Sequence, residues 1–179
     1  MMRDAIFQSD CDQCAALCCV ALPFDKSDFF AFDKKGGEAC LNLNGRGRCT
    51  IHDELRECGF SGCIQYDCLG AGQRVTQEIF DGQSWQDQPV LLKPMSDAFR
   101  AMRVVQELRQ LLSVAEKLPL STTDLQQFNQ LYGALSPTEG WSYASLMAFE
   151  KSDVPKKANT FFNSLQRHVT RPPELQPAG

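Results

Sequence analysis

No cysteine lies beyond Cys68. The nine in this chain of 179 residues fall between Cys11 and Cys68, so thiol chemistry is confined to the first part. Histidine is scarce as well, with His52 and His168 as the two examples. No apolar run approaches the ~20 residues of a membrane span, and no membrane association is expected. A basic excess is also missing: 18 Lys and Arg against 22 Asp and Glu leave a net charge of −4, which argues against the basic footprint of a nucleic-acid binder. The chain has no Ser-His-Asp set, no paired-carboxylate motif and no nucleotide fingerprint. Gly70-Ala71-Gly72 lacks the required spacing and a following Lys-Ser or Lys-Thr, and reads as a tight turn into a helix. The stretch Met1 to Gln8 has no apolar signal-peptide core, so a cytoplasmic location is expected.

Clustered thiols mean a disulfide framework, a metal site, or a redox or nucleophilic centre. Disulfides rank last, because cytoplasmic thiols are kept reduced and an odd count leaves one unpaired. Confinement to one region fits a local metal site better than a set of staples.

The spacing supports this. Asp10 reads as a helix N-cap with Gln13 as its reciprocal partner. In the helix expected after it, Cys11, Cys14 and Cys18 stand at i, i+3 and i+7 on one face, with Cys19 at the edge. A single such cysteine would be read as a small buried hydrophobe; the whole C-x2-C-x3-C-C run reads better as converging ligands.

A second cluster follows from turn chemistry. Asn44-Gly45 is a strong hairpin signal, and with these two at the turn Cys40 faces Cys49, with Cβ atoms about 4.5 to 5.5 Å apart. That suits two thiolates on one tetrahedral ion. Gly47 offers an alternative, longer loop. Thr50 to Asp53 then resembles a capping box opening a short helix that Gly59 closes as C′, with Cys58 as its last residue. Cys63 and Cys68 form a C-x4-C pair. His52 is either a nitrogen ligand or a solvated residue donating to a carbonyl, and Arg46, Arg48, Arg56 and Arg74 are candidate donors toward an anionic site. His168 is placed on a helix surface.

The run Cys11-x2-Cys14-x3-Cys18-Cys19, then Cys40 with Leu43, Cys49-Thr50-Ile51-His52 and Cys63-x4-Cys68, resembles the CxxCxxCC family of zinc- or iron-chelating (YkgJ-like) domains over residues 8 to 80. It is closest to the version that precedes pentapeptide repeats in some bacterial proteins, through Val20 to Phe24 and Tyr66 to Gln73. The resemblance implies a metal-ligand set of Cys11, Cys14, Cys18, Cys19, Cys40, Cys49, Cys63 and Cys68, with Cys58 as the surplus thiol. Two departures stand out: His52 and Gly59-Phe60-Ser61-Gly62 replace the family's Tyr and Arg-Pro, and no five-residue repeat follows Gln73.

Beyond residue 95 the pattern turns helical. Phe99, Met102, Val105, Leu108, Leu112 and Ala115 recur at three- and four-residue steps from an N-cap at Ser96 to Leu118. Further helices are expected from Ser121 to a stop at Gly133, around Trp141 to Phe149, and from Ala158 to His168. The expected fold is therefore mainly α with a small β-hairpin, a metal-stabilised cysteine-rich region (8–80) packed on a helical region (95–170), and a disordered tail (171–179).

Zinc ranks ahead of iron or an iron–sulfur cluster, because tetrathiolate zinc is the commoner structural solution; copper(I) fits by ligand softness alone. Two functional readings follow. In one, the metal is mainly structural and the helical region docks a protein partner. In the other, which the resemblance implies through family members that methylate protein, the chain is an iron–sulfur protein with redox or methyl-transfer-type activity.

Overall fold

The computed structural model describes residues 6–168, and the tail expected at 171–179 lies outside them. The described residues are mainly helical and contain no sheet. Seven α-helices are present: α1 (Leu17–Ala21), α2 (Ser61–Gln65), α3 (Ala71–Arg74), α4 (Leu92–Ala115), α5 (Thr122–Leu135), α6 (Tyr143–Glu150) and α7 (Val154–Ser164). A π-turn, Val75–Ile79, continues α3. Single 3-10 turns occupy Cys11–Gln13, His52–Glu54, Pro89–Leu91 and Leu165–His168.

The 24-residue helix α4 organises the molecule: α1, α3, α5, α6 and α7 all pack on it. Its apolar stripe is the one read from the sequence, and Phe99, Met102, Val105, Leu108, Leu112 and Ala115 are all buried. Its start is different. Pro89 opens a 3-10 turn that runs into α4 at Leu92, proline being suited to a first helical position because its missing N–H has no partner to lose. Ser96, expected as the N-cap, lies a turn inside and is buried. The later helices are capped by serine. Ser121 and Asp124 form a capping box on α5, and Ser142 and Ser145 form one on α6. Gly133 does not end α5, which continues to Leu135. α7 begins at Val154, with Pro155 in its first turn, well before Ala158.

Ala15, Leu17, Val20, Ala21, Ala71 and Val75 share one apolar core with Met95, Phe99, Met102 and the buried faces of α5 to α7. The cysteine-rich region thus rests on the helical region through α1, α3 and the π-turn. Fully buried Leu17 and Phe99 each stabilise this union by roughly 1.5–3 kcal/mol relative to an exposed position.

The cysteine-rich region also has a small core of its own. Phe24 stacks on Phe30 with ring centroids 4.4 Å apart, Phe32 meets Phe24 tilted at 5.8 Å, and Phe60 meets Phe24, Phe30 and Phe32 edge-on at 6.2, 6.4 and 5.0 Å. Phe30 lies so close to Gly62 that a Cβ there would sit 2.3 Å from the ring. Gly62 and Phe60, both within the segment that departs from the family pattern, are therefore parts of this aromatic cluster.

Two local expectations are corrected. Residues 11 to 21 are not one helix: the 3-10 turn stops at Cys14, whose backbone is extended, Ala16 is left-handed at φ 54°, and α1 starts afresh at Leu17. The small hairpin is reduced to an isolated antiparallel bridge in which Cys49 faces Leu43, not Cys40. Asn44 explains the shift. Its side-chain oxygen accepts from the backbone N–H of Arg46 (2.9 Å) and Arg48 (3.0 Å), and its carbonyl accepts from Gly47 at 3.1 Å. With Gly47 at φ 76°, the asparagine's own hydrogen bonds favour the longer loop over a two-residue turn.

Candidate metal centre

The first four cysteines lack a regular helix to space them, and polar side chains hold them instead. Gln73, Thr76 and Gln77 stand at i, i+3 and i+4 on α3 and the π-turn. Gln73 donates from Nε2 to the Gln8 carbonyl (2.8 Å) and accepts at Oε1 from the Asp10 N–H (2.7 Å). Thr76 Oγ1 accepts from the Ala15 N–H (3.0 Å), and Gln77 Nε2 donates to the Gln13 carbonyl (2.9 Å). Trp85 Nε1 donates to the Ala15 carbonyl at 2.7 Å. The chain on both sides of Cys11 and Cys14 is thereby pinned to α3 and the loop beyond it. Asp10 caps the turn as expected, accepting from the Asp12 N–H at 3.0 Å; its reciprocal partner is Gln73, not Gln13.

Close packing sets Cys14. A Cβ on Gly72 would lie 2.5 Å from Cys14 Sγ, so only glycine lets α3 approach the sulfur. Gly70, left-handed at φ 77°, turns the chain into α3, the structural role expected for the Gly-Ala-Gly run. Cys68 precedes this turn, and its sulfur lies 3.1 Å from Ser9 Oγ.

Backbone bonding places the second set. The Cys40 N–H donates to the Cys19 carbonyl at 3.0 Å. Lys34 is buried, and its ammonium donates to the carbonyls of Val20 (3.2 Å), Leu22 (2.6 Å) and Lys35 (3.1 Å). It caps the C-terminal end of α1 directly behind Cys19. The short helix expected up to Cys58 is a 3-10 turn, His52–Glu54, running on into further turn, but its closure is the expected one: the Gly59 N–H donates to Arg56 and the Phe60 N–H to Leu55, at 3.2 and 2.7 Å, with Gly59 at φ 80°. This is the Schellman pattern. The expected opening of that turn is not formed, because the Thr50 hydroxyl donates to the Asn42 carbonyl and Ile51 occupies the cap.

All nine cysteines are free thiols. Cys18 Sγ and Cys19 Sγ are 3.9 Å apart, close to the ~3.8 Å edge of a tetrahedron with bonds of about 2.3 Å. Among the described residues, no three His, Cys, Asp or Glu side chains stand in an arrangement that could hold an ion. The donor chemistry suits a thiophilic metal, while a closed polyhedron is not preformed.

The thiols act on one another electrostatically, with Cys19 reaching the most of them. Burial pushes Cys14 up to about 11, with smaller upward pushes from Cys68 and Cys11. Cys11 is likewise raised, first by burial and then by Cys68 and Cys19. Cys18 is held well above the usual thiol range, first by its hydrogen bond to Cys19, then by burial, and also by Cys14 and Cys68. Cys63 is pushed up to about 11 by burial and then by Cys19, Cys40 and Cys49. Cys49 is raised by burial and by Cys19, Cys40 and Cys58. Cys40 is raised by burial and by Cys19. Cys19 is the exception, lowered to about 7 because the Cys18 thiol bonds it and Lys34 faces it, against an opposing penalty from burial.

Cys19 acts on Cys11 and Cys18 as well as on Cys40, Cys49 and Cys63, so the eight cysteines expected as ligands lie within electrostatic reach of the adjacent pair Cys18–Cys19 or of one another. Cys58 reaches Cys49. His52 is exposed and lies 3.5 Å from Asp53. Arg48 pairs with Asp12, and Arg74 with Glu78 at 2.8 Å. Lys34 faces Cys19, Cys40 and Cys18, and Arg103 on α4 reaches Cys68; sequence reasoning missed both, and the one available signal for Lys34 was its place in a Lys-Lys-Gly-Gly turn after the cysteine run. His168 is not a plain surface residue. Its Nε2 lies 3.1 Å from Oδ2 of buried Asp124, which also pairs with Arg167 and accepts from the Ser121 hydroxyl at 2.7 Å. These bonds, the one from Ser121 foremost, hold the Asp124 carboxyl well below its usual range.

The chain is 48% identical over 100 residues to the uncharacterized protein YybG of Bacillus subtilis (strain 168), a match covering 56% of this chain. It takes in 36% of that protein's length, so the chain spans little more than a third of this relative. No family model matches the chain, and no solved structure matches it. No helix among the described residues is long and apolar enough to cross a membrane.

Proposed function

We propose that this is a cytoplasmic cysteine-cluster protein that chelates zinc or iron, with the metal mainly structural, and that its helical region serves as an interaction module for a protein partner. This reading is carried by eight thiols that lie within electrostatic reach of one another, with the Cys18 and Cys19 sulfurs 3.9 Å apart, and it assigns Cys11, Cys14, Cys18 and Cys68 to one group of four and Cys19, Cys40, Cys49 and Cys63 to the other. Four sulfurs are what a closed structural site takes, and two such groups suit two ions. Metal would draw each group together and take up thiols that burial otherwise keeps protonated.

A second reading, an iron–sulfur protein with redox or methyl-transfer-type activity, is favoured by one feature. A cleft of about 570 Å³ opens beside Cys11 and is bordered by Ser9, Asp10, Asp12, His52 and Gln73. Cys11 is exposed at this cleft, as suits a cluster open to a reactant.

Metal analysis and absorbance of protein purified without oxygen test both. Two zinc equivalents and a colourless protein are expected. Iron with sulfide and broad visible bands would favour the second reading, and metal-free protein that remains fully folded would overturn both.

A further inference from the structure

Lys34 is buried in the cysteine-rich region and held there by both its backbone and its side chain. The Lys34 N–H donates to the Phe24 carbonyl at 2.8 Å, and the Phe24 N–H donates back to the Lys34 carbonyl at 3.0 Å. The ammonium stands 5.7 Å from the centre of the Phe24 ring, within cation–π range. Its bonds to the carbonyls of Val20, Leu22 and Lys35 use all the donors an ammonium has. Lys34 therefore acts on any other group through its charge alone. Burying a cation is costly unless negative charge offsets it. The groups that act most strongly on this one are Cys40, Cys19, the exposed Glu38 and Cys18, in that order, so three of the four are sulfurs of the expected ligand set. As neutral thiols these sulfurs offset little; as thiolates on an ion they carry the charge that the buried ammonium lacks.

We propose that Lys34 is the interior counter-cation of the metal centre, setting through its charge the affinity of the group that contains Cys19 and Cys40. This rests on the two-group reading above and goes beyond it by naming a residue that tunes one group and not the other. The sign follows from the change in charge. Four neutral thiols that exchange their protons for one divalent ion become a dianionic unit, and a fixed positive charge beside the sulfurs favours that form over the free thiols. Lys34 is itself no ligand, because its three N–H bonds are spent on carbonyls.

Competition for zinc between the full chain, purified without oxygen, and a chromophoric chelator tests this. Lys34→Gln keeps an amide donor for the α1 carbonyls and removes the charge, whereas Lys34→Met removes both. Each should weaken one zinc equivalent by about ten- to a hundredfold, the equivalent that Cys40→Ser loses, and leave the one that Cys14→Ser loses. With cobalt(II) at saturation in place of zinc, the sulfur-to-metal charge-transfer band of Lys34→Gln should move to longer wavelength, because a thiolate without a nearby cation gives up its electron more readily. Glu38 is exposed and draws on the same cation, so Glu38→Gln tests the charge with Lys34 left in place and should tighten that equivalent about twofold. Weakening in Lys34→Met but not in Lys34→Gln would make the lysine a helix cap and nothing more, and equal weakening of both equivalents would trace the effect to the fold. Either result, or affinity unchanged in both Lys34→Gln and Glu38→Gln, overturns the proposal while two zinc equivalents in the wild type leave the two-group reading standing. A wild-type chain that takes no metal would overturn that reading and this inference with it.

Discussion

The helical region and the cysteine-rich region are built by different means on one shared core. α4 to α7 are ordered by apolar side chains at helical spacing. Residues 8 to 80 bury α1, α3 and a phenylalanine cluster, but the stretches between these are ordered by single polar contacts: Gln73, Thr76 and Gln77 on the Cys11–Cys14 stretch, Asn44 within its loop, and Lys34 on the carbonyls of α1. A buried stripe draws on many weak contacts and tolerates the loss of one, whereas a segment held by individual hydrogen bonds depends on each. The loop-rich half therefore has more to gain from a metal, and the following changes should affect the two halves unequally.

Metal removal should show the largest contrast. In small zinc modules metal supplies on the order of 10 kcal/mol of folding free energy, so a strong chelator should erase amide-exchange protection across residues 8 to 80 and spare α5 to α7. The Phe24–Phe30–Phe32–Phe60 cluster should retain the slowest exchange within the loosened part. Equal protection with and without chelator would remove the distinction between the halves.

Phe99→Ala should act on both halves together. The ring is fully buried where α4 meets both parts of the core, and truncation should cost about 3–5 kcal/mol. A single cooperative denaturation curve shifted to lower denaturant is expected; a split into two transitions would mean that the halves unfold independently.

Substitutions at sulfur sharpen the partition. Cys40→Ser and Cys49→Ser should each lose the same metal equivalent, and the double variant no more than either. Cys14→Ser should lose the other equivalent. Gly72→Ala should imitate Cys14→Ser, because the added Cβ would occupy the space of the Cys14 sulfur.

Acid should act on the helical half through Asp124. Its carboxyl is depressed in the folded state, so its contribution is fully present above the unfolded value of about 3.9 and is lost as pH falls through the lower folded value. Asp124→Asn should flatten the fall in thermal midpoint below about pH 4, with little effect on metal content.

The smallest effect is expected at Cys58. It lies outside both proposed groups of four, so Cys58→Ala should keep the metal, and brief alkylation of native protein should label Cys58 first. Its place beside Cys49 makes the opposite result informative: protection of Cys58 together with metal loss in the alanine variant would put it in the second group.

Legibility followed the same division. The α4 stripe and the start of α5 at Ser121 were readable because helical periodicity is a sequence-adjacent property. The Ser142–Ser145 box and the early start of α4 were less so, since Ser96 offered a competing cap that its burial against the core excludes. Within the cysteine-rich region, the closure at Gly59 and the turn at Gly70 were read from glycine's access to positive φ. The path of residues 11 to 21 was not, because a cysteine at helical spacing says nothing of whether Gln73 will claim the Asp10 N–H from a distance of more than sixty residues. The hairpin register depended on whether Asn44 served as turn residue or as acceptor for the loop beyond it, and both fit the same letters.

The sequence by itself determined the composition of this protein's two halves: which segment carries every thiol, which carries the apolar helical stripes, and where short-range capping and glycine turns fall. These follow from chain-local sterics, hydrogen bonding and periodicity. Only the tertiary structure decided that Lys34 stands behind Cys19, that Phe60 and Gly62 complete an aromatic cluster, and that the Asp124 carboxylate ties the start of α5 to His168. Each of these joins residues far apart in the chain, and what fixes such pairings is the space and polarity left once α4 has gathered the other elements around it.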